Sequence, residues 1–194
     1  MQPEETPSSQ PGRLKLFLGY APGVGKSYAM LEAALQRQQK GERVLVAAAR
    51  PGSGDVANIL SRLEQMPLSS DGGLDIDGIL ARRPNLVVVD DLHAANPTGS
   101  RHPRRYQDVQ ELLENGLQVF SALDIQHLES LVDDVFTITA YREALSVPDE
   151  VIDTASVIEL VDLPPEDLLQ RYRAGQVSAP ELSHAAAENF FLPG

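Results

Sequence analysis

Five short apolar runs punctuate the chain, and segments of helical spacing separate them. The runs are Leu14-Lys15-Leu16-Phe17-Leu18, residues 43–49, Leu86-Val87-Val88-Val89, residues 118–123 and Val157-Ile158-Glu159-Leu160-Val161. Leu86 to Val89 is continuous and mostly β-branched, the pattern of a strand covered on both faces in a parallel sheet. Between the runs, residues 27–39 predict a helix that stops at Lys40-Gly41, and Val56, Ile59, Leu60 and Leu63 recur at helical spacing within 55–65. Further helices are predicted at 77–83, ending before Pro84, at 106–114, closed by Asn115-Gly116, and at 125–136. Pro164-Pro165-Glu166-Asp167 opens another, with Arg171 and Arg173 near its end, and a last amphipathic helix runs from Pro180 to Phe190-Phe191. Residues 67–73 and 93–104 are rich in Pro, Gly and polar residues and read as loops. Strands and helices alternate without an internal repeat. The predicted fold is α/β: a three-layer sandwich around a parallel sheet of about five strands.

The first strand runs straight into Gly19-Tyr20-Ala21-Pro22-Gly23-Val24-Gly25-Lys26-Ser27. A strand, a glycine loop and a helix opening on Lys-Ser form the layout of a P-loop, a backbone cradle for nucleotide phosphates. Gly23 and Gly25 let successive amides turn inward, along a path that side chains resist. In this reading Val24 lends its amide, Lys26 reaches the β- and γ-phosphates, and Ser27 coordinates Mg²⁺. The following helix points its positive end at the same anion. Tyr20 stands where the usual pattern has its first glycine, and Gly19 lies one place early. Tyr20 is expected to crowd the loop entrance.

Asp90 ends the Leu-Val-Val-Val strand, the position from which a P-loop protein holds Mg²⁺. Asp91 follows where one large branch of these ATPases, the RecA-like branch, keeps a glutamate that activates water. That makes Asp91 the candidate catalytic base and, being one methylene short, predicts slow turnover. Gly99-Ser100-Arg101-His102-Pro103-Arg104-Arg105 is the only basic cluster. It is expected to close over the γ-phosphate, with Arg101 making the contact and Arg104 and Arg105 facing an acidic partner. His93, His127 and His184 are scattered, and no spacing supports a stand-alone metal site.

Composition narrows the function classes. With 16 Lys and Arg against 28 Asp and Glu, the net charge of −12 argues against nucleic acid and anionic lipid as partners. There is no cysteine, in keeping with a reducing, cytoplasmic compartment. No apolar run approaches a membrane span. Residues 1–12 are polar and Pro/Ser-rich and read as a disordered lead, leaving 13–194 as one nucleotide-binding domain.

The chain resembles the N-terminal cytoplasmic domain of the Kdp-type potassium-sensing histidine kinases, the KdpD family. The resemblance rests on Gly23-Val24-Gly25-Lys26-Ser27-Tyr28-Ala29-Met30-Leu31, Ala81-Arg82-Arg83-Pro84, Gly99-Ser100-Arg101-His102-Pro103 and Gln107-Asp108-Val109. It continues through Gln126-His127-Leu128-Glu129-Ser130-Leu131 and Glu159-Leu160-Val161-Asp162-Leu163-Pro164-Pro165. It implies an ATP-binding regulatory domain, with the nucleotide contact carried on through Tyr28, that tunes a potassium-responsive two-component system. Its partner would be a signalling protein or the rest of a sensor kinase, and the chain either a stand-alone relative or a piece of one. Several positions depart from the family pattern. Ala49-Arg50-Pro51-Gly52-Ser53-Gly54 replaces Glu-Thr-His-Gly-Arg, Asp91 replaces a glutamate, Asp124 replaces an asparagine and Tyr20 a small residue. These departures cluster at the presumed active edge. The expected function is a nucleotide-dependent switch acting on a partner; the alternatives are a weak ATPase or small phosphotransferase, and a degenerate P-loop interaction scaffold.

Overall fold

A computed structural model describes residues 11–50, 54–139, 142–175 and 177. Six strands form one sheet: β1 (Leu14–Gly19), β2 (Val44–Ala48), β3 (Glu64–Gln65), β4 (Leu86–Val89), β5 (Gln118–Asp124) and β6 (Ala155–Val161). Every pairing is parallel and the spatial order is β3-β2-β4-β5-β1-β6. Among the described residues the α-helices are α1 (Lys26–Gln39), α2 (Asp55–Leu60), α3 (Ile76–Arg82), α4 (Arg105–Glu114), α5 (Val132–Thr139), α6 (Glu150–Asp153) and α7 (Pro165–Arg173).

Period-two alternation divides the core between the two faces of the sheet. Leu86 and Val88 pack with Phe17, Val46 and Phe120 under Met30, Leu31 and Leu35 of α1 and Ile59 of α2. Val87 and Val89 turn the other way, to Leu16, Leu45, Val119 and Leu123, under Ile76 and Ile79 of α3 and Val109 and Leu112 of α4. All four residues of β4 are fully buried, which is what its unbroken apolar run implies. Burying side chains of this size contributes about 1.5–3 kcal/mol each. On α1, Met30, Leu31, Ala34 and Leu35 form the inward stripe.

The structure corrects the sequence reading in several places. The helix expected over 55–65 stops at Leu60. The chain then turns so that Glu64 and Gln65 pair with Leu45 and Val46 as a two-residue edge strand, giving six strands. In place of the helix expected at 125–136, two 3₁₀ turns (Ile125–His127 and Glu129–Leu131) precede α5. Ile125, Leu128 and Leu131 are spaced by three, a period that suits a 3₁₀ turn as well as a helix. The segment 93–104 is folded down: Asp108, buried in α4, accepts from Asn96 Nδ2 (2.6 Å) and pairs with His102 Nδ1 (2.8 Å), and Ala95 bridges Arg104. Gly12, placed within the expected N-terminal lead, donates its amide to Leu113 O at 2.7 Å. The remainder of that lead, residues 1–10, and the helix expected after Pro180 lie outside the described residues.

Candidate functional site

Because all six strands are parallel, β1, β4 and β5 deliver their last residues to one edge of the sheet. β1 runs into the glycine loop, β4 into Asp90-Asp91, and β5 ends on Asp124, which lies in register with Gly19. Gly23 and Gly25 both take left-handed backbone, with φ of 89° and 110°. Gly25 is the N-cap of α1. Among the described residues, nothing accepts a hydrogen bond from the amides of Val24, Gly25, Lys26 or Ser27. A row of unpaired amides at a helix start carries partial positive charge and suits an anion.

Lys26 is 9% exposed. Its stem curls back over Gly19, where an added Cβ would lie 2.8 Å from Lys26 Cδ, so the loop's early glycine is space for the lysine. The ammonium donates to Ala21 O at 3.1 Å and forms an ion pair with Asp124. Ser27 Oγ donates to Asp90 Oδ2 at 2.7 Å, across 63 residues of sequence. Asp90 is 2% exposed. Burial, and next the neighbouring Asp91 carboxylate, push Asp90 above the usual carboxylate range, against the pull of the Ser27 hydroxyl and the Asp91 amide. The chain leaves Asp90 through Asp91 in the left-handed region, φ 54°, a conformation aspartate tolerates better than most residues. The Asp91 carboxylate is engaged by Arg50 Nε.

The remaining predicted residues divide. Val24 is buried with Ala21 and Leu168 beneath the loop. Tyr28, on the first turn of α1, is 39% exposed and its hydroxyl faces Glu32 at 3.5 Å. Tyr20 does not crowd the loop: its hydroxyl donates to Leu163 O at 2.7 Å and its ring joins the cluster of Ala21, Val24 and Leu168. Arg101 is not brought to the loop; it pairs with Asp77 at 3.0 Å and Glu111 at 3.1 Å. Instead Arg105 Nη1 donates to Asp90 O at 3.1 Å, and Arg104 Nη2 donates to His93 O (3.1 Å) and Ser146 O (2.5 Å). Both arginines fold inward, contrary to the expectation that they face a partner. The rings of His93 and His127 stack face to face, with centroids 3.5 Å apart. Burial, then His127 and the cations Arg50, Arg105 and Lys26, depress His93 to about 3. His127 is also lowered by burial, and its Nδ1 lies 2.9 Å from Leu145 O.

Two neighbours of the loop are not among the predicted site residues, although Asp124 is one of the departures noted at the presumed active edge. Asp124 ends an apolar strand just as Asp90 does, and that shared pattern was the available signal. Arg171 of α7 donates to Gly23 O at 3.1 Å across 148 residues; no pattern in the sequence marks it. Arg171 also lines, with Leu163, Asp167, Gln170 and Ala174, an open cleft of about 460 Å³ beside the loop. Among the described residues there is no cluster of three or more His, Cys, Asp and Glu fit to hold a metal, and no helix is long and apolar enough to cross a membrane.

Comparison with known proteins identifies relatives along nearly the whole chain. A family model described as KdpD, osmosensitive K⁺ channel His kinase sensor domain, matches residues 10–194. The sensor protein KdpD of Escherichia coli K12 is 41% identical over 98% of this chain, and that of Mycobacterium tuberculosis H37Rv 41% identical over 94%. The sensor protein KdpD of Clostridium acetobutylicum is 35% identical over 97%. In each case the match spans 22% of the relative's own length.

Proposed function

The chain belongs to the family of osmosensitive K⁺ channel His kinase sensor domains, and on that premise we propose that it is an ATP-binding regulatory domain of a potassium-responsive two-component system. In this reading its edge loop changes state with bound nucleotide and acts on a signalling partner or the rest of a sensor kinase. The observation that carries the nucleotide reading is the Ser27–Asp90 contact at 2.7 Å beside a loop of unpaired amides. A helix-start hydroxyl and a strand-end carboxylate, joined across the sheet, are two hard oxygen donors of the kind Mg²⁺ prefers. The ion, when bound, would bridge and neutralise phosphate charge there. The strand order supports the same reading, because β5 stands between the loop strand β1 and the Asp90 strand β4.

In this proposal the ligand takes one orientation. Asp90 and Asp124 lie on the β5 side of β1, so the γ-phosphate end faces that side. The nucleoside end then runs towards β6 and α7, where the cleft lined by Leu163, Asp167, Gln170 and Arg171 is large enough for it. Val24, Gly25, Lys26 and Ser27 supply amides, and Tyr28 continues the phosphate-facing segment from the first turn of α1. The loop of residues 93–105 is tethered to the site through Arg105 on Asp90 O, so Arg105, rather than Arg101, reports on what Asp90 holds. Hydrolysis is slow in this reading. Asp91 is a short acid, turned by a left-handed backbone and already paired with Arg50, which leaves it poorly placed to orient water.

Isothermal titration with ATP, ADP and a non-hydrolysable analogue, each with Mg²⁺, tests the proposal. Saturable heat with all three, lost in Ser27→Ala combined with Asp90→Asn, is the expected result. Silence with every nucleotide, in a chain that melts cooperatively, would leave an interaction scaffold.

A further inference from the structure

We propose that Asp124 is the residue that sets nucleotide affinity and its metal dependence: it acts as a built-in counter-anion that holds Lys26 until phosphate displaces it. The inference rests on the nucleotide reading above and specifies the control of that same site.

The geometry follows from the sheet. β1 and β5 pair in parallel with Gly19 opposite Asp124, so the carboxylate stands one strand over from the glycine across which the Lys26 stem lies. The side chains of the pair are each 10% exposed, so solvent and salt screen their attraction little. Lys26 has three donors; Asp124 and Ala21 O occupy two. Phosphate oxygens need the same ammonium. If Lys26 moves to the phosphate, the Asp124 carboxylate stays behind in a buried place without its cation. If Lys26 remains, the phosphate meets an ammonium whose charge is already matched. Either course weakens binding, and the apparent dissociation constant is the intrinsic one divided by the fraction of molecules whose Lys26 is available.

The other cations nearby do not lift the penalty. Arg50 is committed to Asp91, Arg105 to the carbonyl of Asp90 and Arg171 to the carbonyl of Gly23. Against them stand the carboxylates of Asp90, Asp91 and Asp124. A metal-free polyphosphate therefore meets an ammonium already matched by Asp124, with the carboxylates of Asp90 and Asp91 close by, whereas Mg²⁺ held by the Ser27 and Asp90 oxygens would add positive charge at that point. Asp124 thus selects the magnesium complex of the nucleotide over the free form.

The test is calorimetric titration of ATP, once with Mg²⁺ and once with EDTA, into the wild-type chain, Asp124→Asn and Asp124→Ser. Asparagine keeps an oxygen for Lys26 at the same size and removes only the charge; serine serves if the asparagine variant fails to melt cooperatively. The expected result is binding about tenfold tighter or more in the neutral variants, with the larger gain in EDTA. A wild type that binds only with Mg²⁺ beside a variant that binds without it also supports the assignment. Equal affinities in wild type and variants, or weaker binding in the variants, overturns the role of Asp124 and leaves the nucleotide reading standing. Silence from every chain under both conditions overturns both.

Discussion

Removing the Lys26 ammonium while keeping its stem, as in Lys26→Met, leaves Asp124 as a carboxylate without a cation, its side chain only 10% exposed. Breaking a buried ion pair from one side costs on the order of 3–5 kcal/mol, and the residual exposure places this pair at about 3 kcal/mol. For a chain of this length each kcal/mol moves the midpoint by about 2–4 °C, so the ligand-free variant should melt about 6–12 °C below wild type. The methionine itself fits the apolar path over Gly19, which leaves the abandoned charge as the source of the loss. Lys26→Met combined with Asp124→Asn removes charge from both ends and should recover all but about 1 kcal/mol, because a neutral pair costs far less to bury. The assay is thermal melting by far-ultraviolet circular dichroism at neutral pH without nucleotide. A single variant as stable as wild type, or a double variant no better than the single, would refute a buried and energetically coupled pair. The result also bears on ligand assays, since a lysine variant starts from a lower melting point and its nucleotide shift must be read against its own baseline.

Three further outcomes are expected. Hydrogen exchange over residues 93–105 should slow with a non-hydrolysable ATP analogue and much less with ADP, whereas Asp108→Asn, which weakens the hold on Asn96 and His102, should speed it without ligand; equal protection by both nucleotides would remove the switch. Phosphate release at saturating Mg-ATP should stay below about 1 s⁻¹, and Asp91→Glu should raise it while losing roughly 1 kcal/mol of stability at its left-handed φ; faster wild-type turnover would point to a catalyst. Because His93 is depressed to about 3, the unfolded chain binds a proton below about pH 6.5 that the folded chain refuses, so stability falls with acidification at up to about 1.4 kcal/mol per pH unit; His93→Gln should flatten the slope of midpoint against pH between 6.5 and 5, and an unchanged slope would refute a buried neutral ring.

Strands that bury both faces announce themselves, and β1, β2, β4 and β5 were legible from their apolar runs alone. The glycine loop and Asp90 were legible too, because each is a local pattern at a strand end. β3 was not, since Glu64 and Gln65 are exposed and polar; only the neighbouring backbone of β2 makes them a strand. The partners of the site were hidden for a different reason. Asp124 reaches Lys26 across 98 residues, and Arg171 reaches Gly23 across 148. Those contacts depend on which strand lies beside which, an order that pattern along the chain does not encode. Arg101 and Arg105 show the same limit at short range. Both belong to one basic cluster, and only the tether of Asp108 to Asn96 and His102 decides which turns to Asp90 and which to Glu111.

The outermost strand β6 has a practical consequence. Val157, Ile158 and Leu160 are 51%, 44% and 75% exposed, and among the described residues no further strand follows β6 in the sheet. An aliphatic ribbon with an open row of backbone donors and acceptors is an invitation to intermolecular pairing. Preparations of this chain should therefore be sensitive to concentration, and Leu160→Lys, at the most exposed of the three positions, is the remedy, because a charge on that edge repels a neighbouring strand.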